Sequence, residues 1–128
     1  MANISLKGKV YTGKGEGKKF VTLPWVEQQI GEKLGFVPFA GTLNIRLDRE
    51  GLTNKKMLTK ASHIEITPER GYCKGVLIKA KISGLDCAII IPLVEGYPPD
   101  VVEIISPVFL RQQLHLADGS ETAALVSL

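Results

Sequence analysis

Cysteine is scarce. The chain has two, Cys73 and Cys87, at a spacing that matches no metal-ligand pattern such as Cys-x-x-Cys. In a reducing cytosol they are not expected to be bridged, so both read as core residues. Long apolar runs are missing as well. None approaches the ~20 residues a membrane-spanning helix needs, and the opening Met1-Ala2-Asn3-Ile4-Ser5-Leu6-Lys7 lacks a signal-peptide hydrophobic stretch. A soluble cytoplasmic protein with no membrane partner is the expectation. His63 and His115 stand in no constellation with a Ser, Cys or metal-ligand partner, which argues against histidine catalysis. Repeats, low-complexity tracts and linkers are also lacking, so all of residues 1–128 are expected to form one domain, with roughly two-thirds of the unfolded surface buried.

Charge of either sign is not in large excess. The net charge of +3 is too small to imply nucleic acid, and basic residues are not interleaved with aromatics as on a nucleic-acid surface. The distribution is uneven, however. Lys7, Lys9, Lys14, Lys18 and Lys19 crowd the first twenty residues against Glu16, whereas from Ser83 onward Arg111 faces Asp86, Glu95, Asp100, Glu103, Asp118 and Glu121. A local anion site near the start fits this asymmetry.

What is present is a series of short elements separated by turns. Lys7–Thr12 and Lys19–Leu23 read as strands flanking the glycine-rich segment 13–17. Pro24 opens a helix with Val26, Ile30 and Leu34 on one face and Gly35 as its terminator. Leu43, Ile45 and Leu47 alternate with Thr42, Asn44 and Arg46, the mark of a half-buried strand. Val76–Ile82 turns at Ser83-Gly84 into the apolar Cys87–Leu93, giving two paired strands. Val101–Ile105 is a further strand, Ser106-Pro107 starts a short helix reaching about Leu114, and Thr122–Val126 is the last strand. Many short strands without regular βαβ alternation favour a small, mainly β, closed or nearly closed barrel with two short helices.

Two segments carry candidate chemistry. In Gly13-Lys14-Gly15-Glu16-Gly17-Lys18, three glycines let backbone amides converge on an anion while lysines add charge. It is not a Walker A loop, because Gly15 stands where Ser or Thr would bind magnesium, and it is not a Rossmann fingerprint. An unliganded flexible hairpin is the plain alternative. In Pro38-Phe39-Ala40-Gly41-Thr42-Leu43-Asn44, Thr42 and Asn44 project oxygens from the same strand face, and two such hard donors can share one Mg²⁺ whose other ligands are water and phosphate. By pattern alone, an ordinary exposed Thr and Asn is the plainer reading.

The order of these motifs is more specific than any one of them. Gly-x-Gly-Glu-Gly, the helix ending at Leu34-Gly35-Phe36, Gly41-Thr42-Leu43-Asn44, Leu47-Asp48-Arg49-Glu50, and Val102-Glu103-Ile104-Ile105-Ser106-Pro107 with Leu110-Arg111 together resemble the archaeal CTP-dependent riboflavin kinases over roughly residues 8 to 120. The resemblance implies a six-stranded cradle-loop barrel that transfers the terminal phosphate of CTP to the 5′-hydroxyl of riboflavin, giving FMN and CDP. It implies that Lys14, Gly15, Glu16, Gly17, Lys18, Lys19, Val108, Phe109, Leu110 and Arg111 bind the nucleotide. Thr42 and Asn44 would hold Mg²⁺, and Glu103 would meet the flavin at the accepting hydroxyl and act as the catalytic carboxylate. Glu95 occupies a flavin-contact position where relatives offer a hydroxyl, and an ionised carboxylate there accepts but cannot donate a hydrogen bond. Some relatives carry an N-terminal winged-helix domain with no counterpart in this chain, so no DNA-binding arm is expected. The expected partners are riboflavin, FMN, CTP and CDP, with no nucleic acid, and the expected state is a monomer. Trp25 and Tyr97 read as packing residues, Tyr97 being close enough in sequence to Glu103 to border a flavin pocket.

Two other classes remain open at this stage. A barrel that binds an anionic partner such as DNA through its basic amino-terminal region shares the fold class. A flavin-binding protein without kinase activity would keep the pocket but leave the glycine loop and Thr42/Asn44 unexplained.

Overall fold

The computed structural model describes residues 3–14, 16–72 and 74–128, with residues 16, 17 and 59 described by their backbone alone. Gly15, in the anion-loop reading, and Cys73, in the core reading, lie outside the described residues. Seven strands are described: β1 Asn3–Tyr11, β2 Leu43–Leu47, β3 Ile64–Ile66, β4 Gly75–Ile82, β5 Leu85–Pro92, β6 Val101–Ile105 and β7 Glu121–Ser127. The helices are α1 Glu16–Val21, α2 Pro24–Leu34, α3 Arg49–Lys55 and α4 Leu110–Gln113, with a 3-10 turn over Lys56–Lys60.

All pairings are antiparallel. The order β4-β5-β6-β2-β1-β7 closes on itself because β7 returns to β4 through Lys81↔Leu125 and Ile82↔Ala124, while β3 pairs with the opposite end of β4. The result is the expected closed six-stranded barrel, which leaves few strand edges open to pairing with other chains. Period-2 alternation sends Ile4, Leu6 and Val10 of β1 and Leu43, Ile45 and Leu47 of β2 into the barrel, where they meet Ile78, Ile82, Ile89, Val102, Ile104 and Val126. The β4–β5 hairpin turns at Ser83 and Gly84, both at positive φ (47° and 79°), as a two-residue connection matched to strand twist requires.

A second core lies outside the barrel wall. Leu77, Ala88, Ile90 and Ile105 on the outer faces of β4, β5 and β6 pack with Ile66 of β3 against Val21, Val26 and Ile30 of α1 and α2. This explains why Cys87–Ile91 reads as a continuous apolar run, since these strands are covered on both faces. Each fully buried aliphatic side chain of either core contributes about 1.5–3 kcal/mol relative to exposure. Helix α2 starts at Pro24 and ends on Gly35 at φ 80°, as the sequence indicated. Trp25 packs edge-on against Phe20 and Tyr72.

Several sequence expectations are corrected. The helix expected to start at Ser106-Pro107 and reach about Leu114 is confined to Leu110–Gln113, with Phe109 rather than Ser106 at its N-cap, because residues 106–109 instead form a wall that ties to Phe39 through the Ser106 carbonyl. The segment Lys19–Leu23 is not a strand, because Glu16–Val21 is helical. Both edges of β1 are already occupied, by β2 and β7, so a hairpin partner has no ladder to join, and Val21 is buried against α2 instead. Helix α3 was not expected. Asp48 caps it by accepting from the Gly51 N–H at 2.8 Å, a signal visible in Asp48-Arg49-Glu50. The short β3 was missed as well, since three residues carry too little periodicity to read.

Cys87 is buried in the barrel core. Burial, with Asp86 adding to it and Lys81 opposing, pushes its thiol up from 9.0 to about 12. The raised value means the folded chain keeps the proton between pH 9 and 12 while the unfolded chain loses it. This contribution to stability is complete below pH 9 and disappears as pH rises through 12. Native protein at pH 8 should therefore leave Cys87 unalkylated by iodoacetamide, and denatured protein should be modified there, as peptide mass spectrometry would read.

Candidate active site

The register of three strands builds the site. Tyr11 of β1 lies opposite Asn44 of β2, and Asn44 lies opposite Glu103 of β6. Since the adjacent Val10, Leu43, Ile45, Val102 and Ile104 point into the barrel, these three side chains share one row on the outer face. Thr42, just before β2, completes the group. Its hydroxyl is 2.8 Å from Asn44 Oδ1 and 3.4 Å from Glu103 Oε1. Gly13 closes over Asn44 from the glycine-rich segment, for a Cβ at residue 13 would stand 2.3 Å from Asn44 Nδ2. The absence of that side chain lets the segment approach the group.

Glu103 is half-buried. Its Oε2 accepts a 2.8 Å hydrogen bond from the Tyr97 hydroxyl. Burial, and then the charge of Glu103 and this hydrogen bond, push the Tyr97 phenol well above its ordinary value, so it remains a protonated donor at neutral pH. Tyr11 is also raised, by burial first, with Glu103 and Asp100 adding and Arg46 opposing. Arg46 lies 4.5 Å from the Tyr11 ring centroid and 3.8 Å from Asp100. A groove of about 430 Å³ runs from Tyr11 and Arg46 along the outer face, between Lys7, Lys9 and Glu121.

Next to this row, at the end of the barrel where β2 begins and β6 ends, a cavity of about 310 Å³ is lined by Lys18, Phe39, Gly41, Thr42, Val108, Phe109, Leu110 and Arg111 among others. Phe39 and Phe109 stack with centroids 4.6 Å apart and planes 10° from parallel. The Phe39 N–H donates to the Ser106 carbonyl at 2.8 Å, which ties the two walls together. Arg111 donates to the Tyr11 carbonyl at 3.1 Å, to Thr12 Oγ1 at 3.3 Å and to Asp118 at 2.9 Å. The hydrogen bond from Arg111, then that from Thr12, holds the exposed Asp118 carboxyl below the usual carboxylate range.

Of the sequence-derived site residues, Thr42, Asn44 and Glu103 are brought together, and Lys18, Val108, Phe109, Leu110 and Arg111 line the adjoining cavity. Lys14 and Lys19 are exposed and are not among the residues lining it. Glu16 and Gly17 belong to helix α1 rather than to a loop. Glu95 is exposed in the β5–β6 connection, and it is Tyr97, two residues on, that contacts Glu103. Phe39 and Lys55 were not singled out for function. The Phe39 stack on Phe109 spans seventy residues of chain and has no local signal. His63 and His115 are exposed and take no part in the site.

Thr42 lines the cavity and also meets Glu103, so a molecule seated in the cavity meets the group of Thr42, Asn44 and Glu103 at its edge. The class so defined is a small-molecule enzyme built on a closed barrel. Comparison with known proteins makes it particular. The family model for the CTP-dependent riboflavin kinases (CTP-dep_RFKase, described as a domain of unknown function, DUF120) matches residues 10–126, and the chain belongs to that family. It is 43% identical over 127 residues to a riboflavin kinase of Ignicoccus hospitalis, covering 96% of this chain and 71% of the relative. A riboflavin kinase of Sulfurisphaera tokodaii is 42% identical over 132 residues, with 98% of this chain and 96% of the relative covered. One of Archaeoglobus fulgidus is 40% identical over 120 residues, and there the match covers 91% of this chain but 52% of the relative. The chain thus spans nearly all of some relatives and about half of others.

Proposed function

We propose that this chain transfers the terminal phosphate of CTP to the 5′-hydroxyl of riboflavin, giving FMN and CDP, with the donor in the cavity and the acceptor on the outer face beside Glu103. The observation that carries the reading is the position of Thr42, which lines the cavity and also lies 3.4 Å from Glu103. Donor and acceptor then meet at one residue, which is the proximity that direct phosphoryl transfer between them needs.

Within this reading, Lys18 and Arg111 offer positive charge to the nucleotide phosphates, and Phe39 with Phe109 offers an apolar face to the base. Lys14, Gly15, Glu16, Gly17 and Lys19 complete the nucleotide side as the family resemblance implies. Glu103 accepts the proton of the riboflavin 5′-hydroxyl as its oxygen bonds to the terminal phosphorus and the bond to the CDP oxygen breaks. Tyr11, Arg46 and the groove beyond them border the space open to the flavin, and Glu95 is a further flavin contact.

Mg²⁺ fits the donor set. Thr42 Oγ1 and Asn44 Oδ1 are neutral hard oxygens 2.8 Å apart, and if a cation takes both, the Thr42 proton still has Glu103 Oε1 as acceptor. Held there, Mg²⁺ would neutralise charge on the phosphate oxygens, with water and phosphate as its remaining ligands. Among the described residues no helix is long and apolar enough to cross a membrane. We take the protein to act in the cytoplasm as a monomeric single domain that needs no nucleic acid.

The test is a phosphorylation assay with purified protein, Mg²⁺ and riboflavin, supplying CTP, ATP, GTP and UTP separately and resolving FMN chromatographically. FMN made chiefly with CTP is expected. FMN made chiefly with ATP would overturn the donor, and no FMN with any donor would leave a binding protein.

A further inference from the structure

Glu103 is held from one side by a residue with no role assigned above. Tyr97 lies in the connection between β5 and β6 and donates to Glu103 Oε2 at 2.8 Å, leaving Oε1 on the side of Thr42. A glutamate side chain on a strand can swing about three torsions. With one oxygen tied to a fixed phenol, the other is presented in one direction.

The phenol is itself fixed. The Lys55 ammonium lies 5.6 Å from the Tyr97 ring centroid, and it donates to the Pro99 carbonyl at 3.0 Å and the Val101 carbonyl at 2.9 Å. Helix α3 therefore clamps the segment between Tyr97 and β6 through one side chain. Pro98 and Pro99 stiffen that segment further, and the Tyr97 N–H turns back to the Val94 carbonyl at 3.3 Å. A lysine half-buried for this purpose gives up hydration, and burial does lower the Lys55 ammonium from its ordinary value. A surface lysine serving only solubility would not be placed so.

We propose that Tyr97 is a positioning residue for the phosphoryl acceptor: clamped by Lys55, it orients the Glu103 carboxylate so that Oε1 faces the riboflavin 5′-hydroxyl. The inference rests on the kinase reading above. It adds that the β5–β6 connection, and α3 through Lys55, set the geometry of the reacting group. Tyr97 is not among the residues lining the cavity, and its hydroxyl donates to Glu103, so its effect on the reaction passes through that carboxylate.

The experiment compares Tyr97→Phe, Glu103→Ala and the double variant with wild type, measuring kcat, the KM for CTP and CDP binding. Tyr97→Phe keeps the ring and its packing and removes one hydrogen bond. We expect kcat to fall roughly ten- to hundredfold, the scale of a misplaced reacting group, with the KM for CTP unchanged. In the Glu103→Ala background the same substitution should have no further effect, because nothing remains to be oriented. Full kcat in Tyr97→Phe would overturn the proposal. So would an equal fall in both backgrounds, which would mark Tyr97 as a general support of the fold. Lys55→Met provides a second line through the clamp and should reproduce the kcat loss in milder form, whereas wild-type kcat there would remove Lys55 from the argument. If wild type makes no FMN while CDP binds, the kinase reading itself has failed, which is distinct from an active wild type with an equally active Tyr97→Phe.

Discussion

Replacing Glu103 by Gln is expected to lower FMN formation by roughly 10²- to 10⁴-fold, the range for loss of a positioned general base, while CDP binding is retained. The substitution keeps shape and both neighbours: the amide oxygen still accepts from the Tyr97 hydroxyl, which lies 2.8 Å from Oε2. The negative charge and the capacity to take up a proton disappear, and an amide N–H donor replaces the Oε1 acceptor beside Thr42, whose hydroxyl oxygen can accept from it. The cavity walls, Lys18, Phe109 and Arg111 among them, are untouched, so the nucleotide side should not notice. Steady-state turnover and calorimetric CDP titration on the same preparation separate the two quantities. Undiminished turnover would remove Glu103 from the chemistry. A parallel loss of CDP affinity would mean that the carboxylate acts in nucleotide binding instead.

The second large effect is expected at Thr42. Thr42→Val replaces the hydroxyl by a methyl group of similar size, so the strand and the cavity wall keep their volume. What is lost is the oxygen lying 2.8 Å from Asn44 Oδ1 and 3.4 Å from Glu103 Oε1. If Thr42 and Asn44 share Mg²⁺, the concentration of Mg²⁺ needed for half-maximal turnover should rise by roughly tenfold or more, since even groups one bond further from a metal cost that much when removed. Apparent stability without Mg²⁺ should hardly change, because Thr42 is only half-buried and its hydrogen bonds are worth about 1 kcal/mol each. A titration of turnover against Mg²⁺, with thermal unfolding in EDTA as control, decides the matter. An unchanged Mg²⁺ requirement would put the ion elsewhere, and a collapse of unfolding temperature would give Thr42 a structural role.

The two predictions concern residues 61 positions apart in the chain, and how they meet shows where sequence reading stops. Alternation of Leu43, Ile45 and Leu47 against Thr42, Asn44 and Arg46 was enough to put Thr42 and Asn44 on one face, because side-chain period in a strand is a local property. The same held for the helix from Pro24 to Gly35 and for the hairpin at Ser83-Gly84, whose dihedral needs are met by the residues at the turn itself. Glu103 could be assigned to the site only through the family resemblance. Its proximity to Asn44 follows from the pairing of β6 with β2, and no feature of either strand alone specifies that partner.

The failures have a common cause. Lys19–Leu23 has strand-like composition, yet β1 has no free edge and Val21 finds an apolar partner in α2, so tertiary burial overrode local preference. Tyr97 was read as packing because an aromatic in a Pro-rich connection shows no periodicity, and only the folded loop brings its hydroxyl to Glu103.

By itself, then, the amino-acid sequence determined the class of fold, the strand faces, both ends of the helix from Pro24 to Leu34, the Ser83-Gly84 turn, the lysine-rich amino-terminal region and, through the order of its motifs, the family. These depend on interactions within a few residues or on similarity to known chains. The tertiary structure alone decided which strands pair to close the barrel, that Thr42 stands between cavity and carboxylate, that Phe39 stacks on Phe109, and that Lys55 and Tyr97 brace Glu103. Each of these joins residues far apart in the chain, and such contacts are set by the register of strands and the packing of two cores, to which no single segment holds the key.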